Sequence, residues 1–144
     1  MQSLKEGKKN PKKAKKSPPA FAAFQVTPAG EIYEQEFLCV VASVEALSSH
    51  WMAGQIVNIC RKNHFPIHPV VGFKEFPGEG LGGAVEVAPG VYRAVVIGKL
   101  EFLRELGLSI PELLIVASRR WLADGATVVY AGWDGWVRGI LKFK

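Results

Sequence analysis

The sequence predicts an α+β fold with a mainly antiparallel sheet of about six strands, flanked by about four helices. Two observations predict it. Apolar residues recur at helical spacing in the first half of the chain, whereas from residue 70 they alternate at the two-residue period of strands. The predicted strands are joined by short turns rich in glycine and proline more often than by helices, which favours antiparallel pairing.

Periodicity and turn signals place the elements in chain order. Six segments are predicted strands: residues 21–27, 70–76, 83–87, 92–97, 127–133 and 136–143. Four segments are predicted helices: residues 34–47, a segment beginning after residue 49 and ending near 63, residues 99–106, and a segment from about 110 to 123. Ser48 or Ser49 is expected to cap the second helix and Ser109 the fourth. Asp134-Gly135 predicts a tight hairpin between the last two strands.

Charge divides the chain into a tail and a body. The net charge of +5 arises from 18 Lys and Arg against 13 Asp and Glu. Seven of the lysines but only one acid lie in residues 1–19, so the tail carries +6 and the remainder −1. We therefore expect a disordered lysine-rich tail, residues 1–20, followed by one folded domain, residues 21–144. Such a tail can attract an acidic protein surface or bind other polyanions without specificity, or serve only to increase solubility.

Other classes of protein are disfavoured. No apolar run approaches the roughly 20 residues that a membrane helix needs, and the basic start does not lead into a signal peptide. Cys39 and Cys60 form no metal-binding or disulfide pattern, and we expect buried free thiols. These features predict a cytoplasmic, monomeric protein without a metal site.

A series of short motifs is the strongest indication of function. Glu45 lies five residues before His50, across a predicted helix break, so that both side chains can face one pocket. An imidazole can stack on a purine, and a carboxylate can accept a hydrogen bond from the adenine amino group. The alternative is a surface glutamate and a histidine that caps the next helix. The series continues with the segments at residues 77–82, 97–103, 125–130 and 134–135.

In this order the motifs resemble the nucleotide-binding (N) domain of heavy-metal-transporting, copper-type P-type ATPases, over roughly residues 21–143. The resemblance implies weak ATP binding and assigns nucleotide contacts to Glu45, His50, Gly78, Gly80, Gly98 and Lys99. Three positions depart from the family pattern. Ser49 and Trp51 stand where the family has Glu and Pro beside the histidine, and Lys99 stands where the family has Asn.

The resemblance implies a nucleotide-binding module that is not catalytic alone, because the sequence contains no Asp-Lys-Thr-Gly phosphorylation motif. Three alternatives stay open. The chain is one piece of a split or truncated metal pump, a regulatory protein that docks on a P-type ATPase, or a relic that no longer binds ATP. For Gly78 and Gly80, a purely conformational role in a turn is also open. Trp51 is expected either to lie against the purine or to pack into the core.

Overall fold

The computed structural model describes residues 19–27 and 34–144, and these form a six-stranded antiparallel sheet with helices against it. The strands are β1 (Phe21–Val26), β2 (Val70–Phe76), β3 (Gly80–Ala88), β4 (Val91–Gly98), β5 (Thr127–Trp133) and β6 (Trp136–Phe143). The helices are α1 (Glu34–Glu45), α2 (Trp51–Lys62), α3 (Leu100–Glu105) and α4 (Glu112–Ala123). The strand order is β1-β6-β5-β4-β3-β2. The predicted fold class is confirmed.

The first strand closes the sheet beside the last one. β1 pairs with β6, and the backbone of Ala20 extends this pairing by exchanging two hydrogen bonds with Lys144. The Gln55 side chain of α2 binds the same segment, accepting from the backbone N–H of Phe21 and donating to the carbonyl oxygen of Pro19. The prediction for the lysine-rich tail otherwise falls outside the described residues.

One core lies between the sheet and the α1–α2 pair. Every residue of α1 from Phe37 to Glu45 is buried, because α2 covers one side of the helix and the sheet covers the other. The Phe37 ring stacks on Phe24 with 6.2 Å between centroids and also packs against Trp133. Gly139 in β6 leaves room for this ring, since a Cβ at that position would meet the ring edge.

A second core lies between α3, α4 and the opposite face of the sheet. Phe102 and Leu103 of α3 and Leu114 of α4 pack here against Tyr130 and Ile140. Tyr130 and Ile140 are followed in their strands by Ala131 and Leu141, which belong to the first core. Because successive residues of a strand point to opposite faces, the sheet is buried on both sides along β5 and β6.

Several boundaries differ from the sequence prediction. β3 begins at Gly80 rather than at residue 83, because Gly80 already pairs with both Phe76 and Gly98. The fourth helix is preceded by Pro111 and not capped by Ser109. Ser109 instead joins the β5–β6 hairpin, where its backbone N–H donates to the carbonyl oxygen of Gly135. Among the described helices, none combines the length and apolar character needed to cross a membrane.

Candidate functional site

A cavity of about 350 Å³ lies at one end of the sheet, on the side covered by α1 and α2. The end of α1, the start of α2, the β2–β3 turn and the end of β4 meet here. All six residues assigned to a nucleotide site from the sequence line this one cavity: Glu45, His50, Gly78, Gly80, Gly98 and Lys99. Residues separated by more than 50 positions in the chain are thus brought together.

Glu45 is the last residue of α1, and its side chain is buried rather than on the surface. Only 6% of the residue is exposed. Burial, and secondarily the nearby charge of Glu75, raises the pKa of Glu45 to about 7. The alternative of a solvated surface glutamate is therefore wrong. This carboxyl group therefore changes its charge near neutral pH. When protonated it offers the cavity one hydrogen-bond donor as well as acceptors, and when ionised it offers acceptors alone.

His50 is the N-cap of α2, in place of the serines expected there. Its Nδ1 accepts a hydrogen bond of 3.2 Å from the backbone N–H of Met52. An imidazole that accepts at Nδ1 carries its proton on Nε2 when neutral, so its free nitrogen is a donor. Ser48 supports the same turn, since its Oγ accepts from the His50 N–H and donates to Glu75. Capping and cavity lining are therefore combined in this one side chain.

Trp51 lies against the outer side of the histidine. Its ring stacks on His50 with 5.6 Å between centroids and meets Phe143 edge-on at 6.4 Å. With 45% of the residue exposed, the expectation that Trp51 packs into the core is wrong. Trp51 contacts two residues that line the cavity, so its fluorescence is a natural reporter of changes there.

The glycines of the site have two distinct conformational roles. Gly78 adopts φ +78° in the β2–β3 turn, a left-handed conformation that favours glycine. Gly80 and Gly98 are partners in the β3–β4 ladder. A Cβ on Gly80 would overlap the carbonyl oxygen of Ile97, and one on Gly98 would overlap that of Glu79. The turn conformation left open for Gly78 is therefore present, whereas Gly80 lies in β3 without a positive φ and is constrained instead by the close approach of β4. All three glycines line the cavity as well.

A gap in the sheet forms one wall of the cavity. The pairing of β4 with β5 ends at Gly98 and Tyr130, while β5 continues for three more residues beside β6 alone. Those residues, Thr127–Val129, line the cavity together with Lys99, the N-cap of α3. Thr127–Val129 therefore have no neighbouring strand on the β4 side and border the cavity instead.

Several lining residues were not assigned to the site from the sequence: Met52, Glu75, Glu79, Thr127, Val129 and Phe143. The motifs at residues 77–82 and 125–130 are signals that identify Glu79, Thr127 and Val129. Met52, Glu75 and Phe143 come from pairing and packing that no local pattern reveals. The cavity thus has an apolar interior and three carboxyl groups, Glu45, Glu75 and Glu79, against the single Lys99. In the part of the chain that the structure describes, no three His, Cys, Asp or Glu side chains are grouped to hold a metal ion.

The sequence is similar to segments of copper pumps. It is 30% identical over 116 residues to copper-transporting ATPase 1 of Rhizobium meliloti, covering 81% of this chain and 13% of that protein. It is 32% identical over 108 residues to copper-exporting P-type ATPase B of Archaeoglobus fulgidus, covering 75% of this chain and 14% of that protein. The chain thus spans about an eighth of the length of these relatives. No family model matches it.

Solved structures share the fold. The N-domain of HMA6, a copper-transporting P-type ATPase, has a TM-score of 0.70 and 25% identity over 89% of this chain and all of that one. The N-domain of HMA8 has a TM-score of 0.67 and 26% identity, covering 85% and 98%. The catalytic domain of the CPx-ATPase CopB-B, described as changing conformation upon nucleotide binding, has a TM-score of 0.56 and 21% identity, covering 88% and 37%. The chain therefore shares the fold, and about a quarter of the sequence, of the N-domains of copper-transporting P-type ATPases.

Proposed function

We propose that this domain binds adenine nucleotides, ATP among them, in the cavity between α1, α2 and the β2–β3 turn. One observation carries the proposal. The six residues expected to contact a nucleotide come from four separate parts of the chain, and all of them line the same cavity. Its volume of about 350 Å³ lies in the range typical of small-molecule sites. A structural neighbour that responds to nucleotide supports the same function.

The chemistry of the lining suits a purine. The Ile97 and Phe143 side chains provide apolar surface, and the imidazole of His50 provides a ring on which a base can stack. Buried Glu45 can accept a hydrogen bond from the exocyclic amino group of adenine. Guanine carries a carbonyl oxygen at that position, so the same carboxyl favours adenine when it is ionised. Lys99, exposed at the end of β4, is placed for the phosphates.

The proposed role is binding and presentation of the nucleotide, without turnover by this chain alone. The residues that line the cavity include no aspartate, and the sequence contains no Asp-Lys-Thr-Gly motif to accept a phosphoryl group. The affinity expected for a site of this type without a partner domain is in the high-micromolar to millimolar range, on the order of −4 to −6 kcal/mol. Purified protein incubated with ATP should release no phosphate above a blank.

His50→Asn is the most direct test of the site. Asparagine is as good an N-cap as any residue, so this variant keeps the start of α2 while removing the ring. His64→Asn is the matched control, because His64 is exposed, lies outside the cavity and has φ 59°, which asparagine tolerates. Binding is followed by two-dimensional NMR during titration with ATP and, as a base control, GTP.

We expect ATP to shift the amide signals of residues 50, 78–80 and 98–99, and GTP to shift them less. His50→Asn should weaken ATP binding by about tenfold, which corresponds to the loss of a base-stacking contact of roughly 1–3 kcal/mol. His64→Asn should bind as the parent does. The proposal is wrong if saturating ATP leaves these amides unmoved, or if the two asparagine variants weaken binding equally.

A further inference from the structure

A second cavity of about 380 Å³ lies on the opposite face of the sheet, between α3 and α4. We call it the α3–α4 groove. Its floor is apolar, formed by side chains that include Leu100, Ile115 and Val128. Three cationic side chains stand around it: Lys99, Arg104 and Arg119. The motifs at residues 97–103 and 125–130 supply part of its lining, but no motif includes Arg104 or Arg119.

The groove meets the first cavity at the gap between β4 and β5. Lys99 and Val128 line both cavities. This is a consequence of the unequal strand lengths, because β4 ends at Gly98 while β5 extends beyond it to Thr127. The two cavities are therefore adjacent at Lys99 and Val128, where no paired part of the sheet lies between them.

The two cavities carry opposite charge. The first contains the carboxyl groups of Glu45, Glu75 and Glu79 with Lys99, whereas the groove contains Lys99, Arg104 and Arg119 with Glu101. The ion pairs recorded among residues 19–27 and 34–144 involve none of the three groove cations. Adenine is neutral and its phosphates are strongly anionic. An adenine nucleotide thus matches the pair of cavities in one direction only, with the base in the acidic cavity and the phosphates towards the groove.

We propose that the α3–α4 groove is the phosphate subsite of this domain, where Arg104 and Arg119 contact the β- and γ-phosphates of the nucleotide whose base occupies the first cavity. This proposal rests on the proposed function. Arginine suits the role because its planar guanidinium donates two parallel hydrogen bonds to phosphate oxygens. The three cations then discriminate between nucleotides by the number of phosphates, independently of how the base is held.

Adenosine, AMP and ATP separate the base contacts from the phosphate contacts. An exposed ion pair changes affinity by a factor of about two or three, so ATP should bind about tenfold more tightly than AMP when three cations take part. Arg104→Gln combined with Arg119→Gln should reduce this ratio to about two and leave adenosine binding unchanged. Arg120→Gln is the matched control, because Arg120 is the exposed neighbour of Arg119 on α4 and does not line the groove. NMR should show that ATP, but not adenosine, shifts amide signals of residues 115–119.

Each outcome decides the matter. If the double variant keeps the parental ratio of ATP to AMP affinity, the phosphate subsite is overturned. Adenosine binding in the first cavity would still uphold the proposed function in that case. Equal effects of the double variant and Arg120→Gln also overturn it, since they would reflect overall charge. If none of the three ligands binds, the proposed function fails and the subsite fails with it. Inorganic tripolyphosphate that shifts the groove amides, in the parent but not in the double variant, supports the subsite directly.

Discussion

Replacing Glu45 with Gln should stabilise the folded protein at neutral and alkaline pH, because it removes a buried group that ionises at a cost. Burial raises the pKa of this carboxyl from its ordinary 4.5 to about 7, with Glu75 adding to the effect. The shift means that the folded state holds the proton more tightly than the unfolded chain does. Glutamine has nearly the same size and shape and no proton to lose.

The sign and size of the effect follow from these two pKa values. Below about pH 4.5 the carboxyl group is protonated in both states, and its contribution to stability is fully present. Between pH 4.5 and 7 only the unfolded chain ionises, so the free energy of unfolding falls as the pH rises. Above pH 7 the loss is complete. At 1.36 kcal/mol for each pKa unit, it amounts to about 3 kcal/mol.

Urea denaturation at pH 5, 6, 7 and 8, followed by tryptophan fluorescence, measures this loss. Glu105→Gln is the matched control, since Glu105 is exposed on α3. The stability of the Glu45→Gln variant relative to the parent should increase by about 2.5 kcal/mol between pH 5 and 8, since the first part of the loss has already occurred at pH 5. The Glu105→Gln variant should show the same pH dependence of the free energy of unfolding as the parent, because the two proteins share all other titrating groups. A difference between the Glu45→Gln variant and the parent that stays constant across this range would refute the reasoning.

Three further predictions concern stability and reactivity. Gly80→Ala should destabilise the fold by about 3 kcal/mol in urea denaturation, because the added methyl group overlaps backbone of β4. Gly78→Ala should cost only about 1 kcal/mol, because its Cβ meets open space and only its left-handed φ is unfavourable. Equal losses of stability in the two variants would contradict this. Ser43→Ala should lower the free energy of unfolding by about 1–3 kcal/mol, since the His68 N–H donates to Ser43 Oγ at 2.8 Å and would lose its acceptor; an unchanged midpoint would be inconsistent with this bond. Burial raises the pKa of Cys60 to about 11, so a thiol reagent at pH 7 should label it slowly in the native protein and rapidly in denaturant, and fast native labelling would show that the thiol is accessible.

The fold class and most elements could be predicted because their signals are local. Alternation of apolar residues identifies the strands, and the Asp134-Gly135 turn joins β5 to β6 as expected. Errors arise where contacts with a distant segment decide where a helix or strand begins. Ser109 has the composition of a helix cap, but its backbone is bound to the β5–β6 hairpin. The start of β3 at Gly80 depends on pairing with β4 that no turn signal reveals.

The candidate site was predictable in its motifs but not in its physical chemistry. The sequence places Glu45 at the end of an amphipathic helix, where a glutamate is usually solvated. Its burial results from α1 being enclosed by both α2 and the sheet. In the same way, the exposed stacking of Trp51 on His50 depends on the angle at which the chain enters α2. The α3–α4 groove was not predicted, because its two arginines lie on different helices and outside every motif.

The backbone pairing of Ala20 with Lys144 makes residues 20–144 suitable for insertion into an unrelated host protein. Entry and exit of the folded unit are separated only by the spacing of two neighbouring strands, about 5 Å. A surface loop of a host can be opened at one peptide bond and joined to both ends without spreading its own strands, which is the geometry that tolerated domain insertions share. Placed inside a fluorescent or enzymatic host, the unit would be joined to that host through two adjacent linkers.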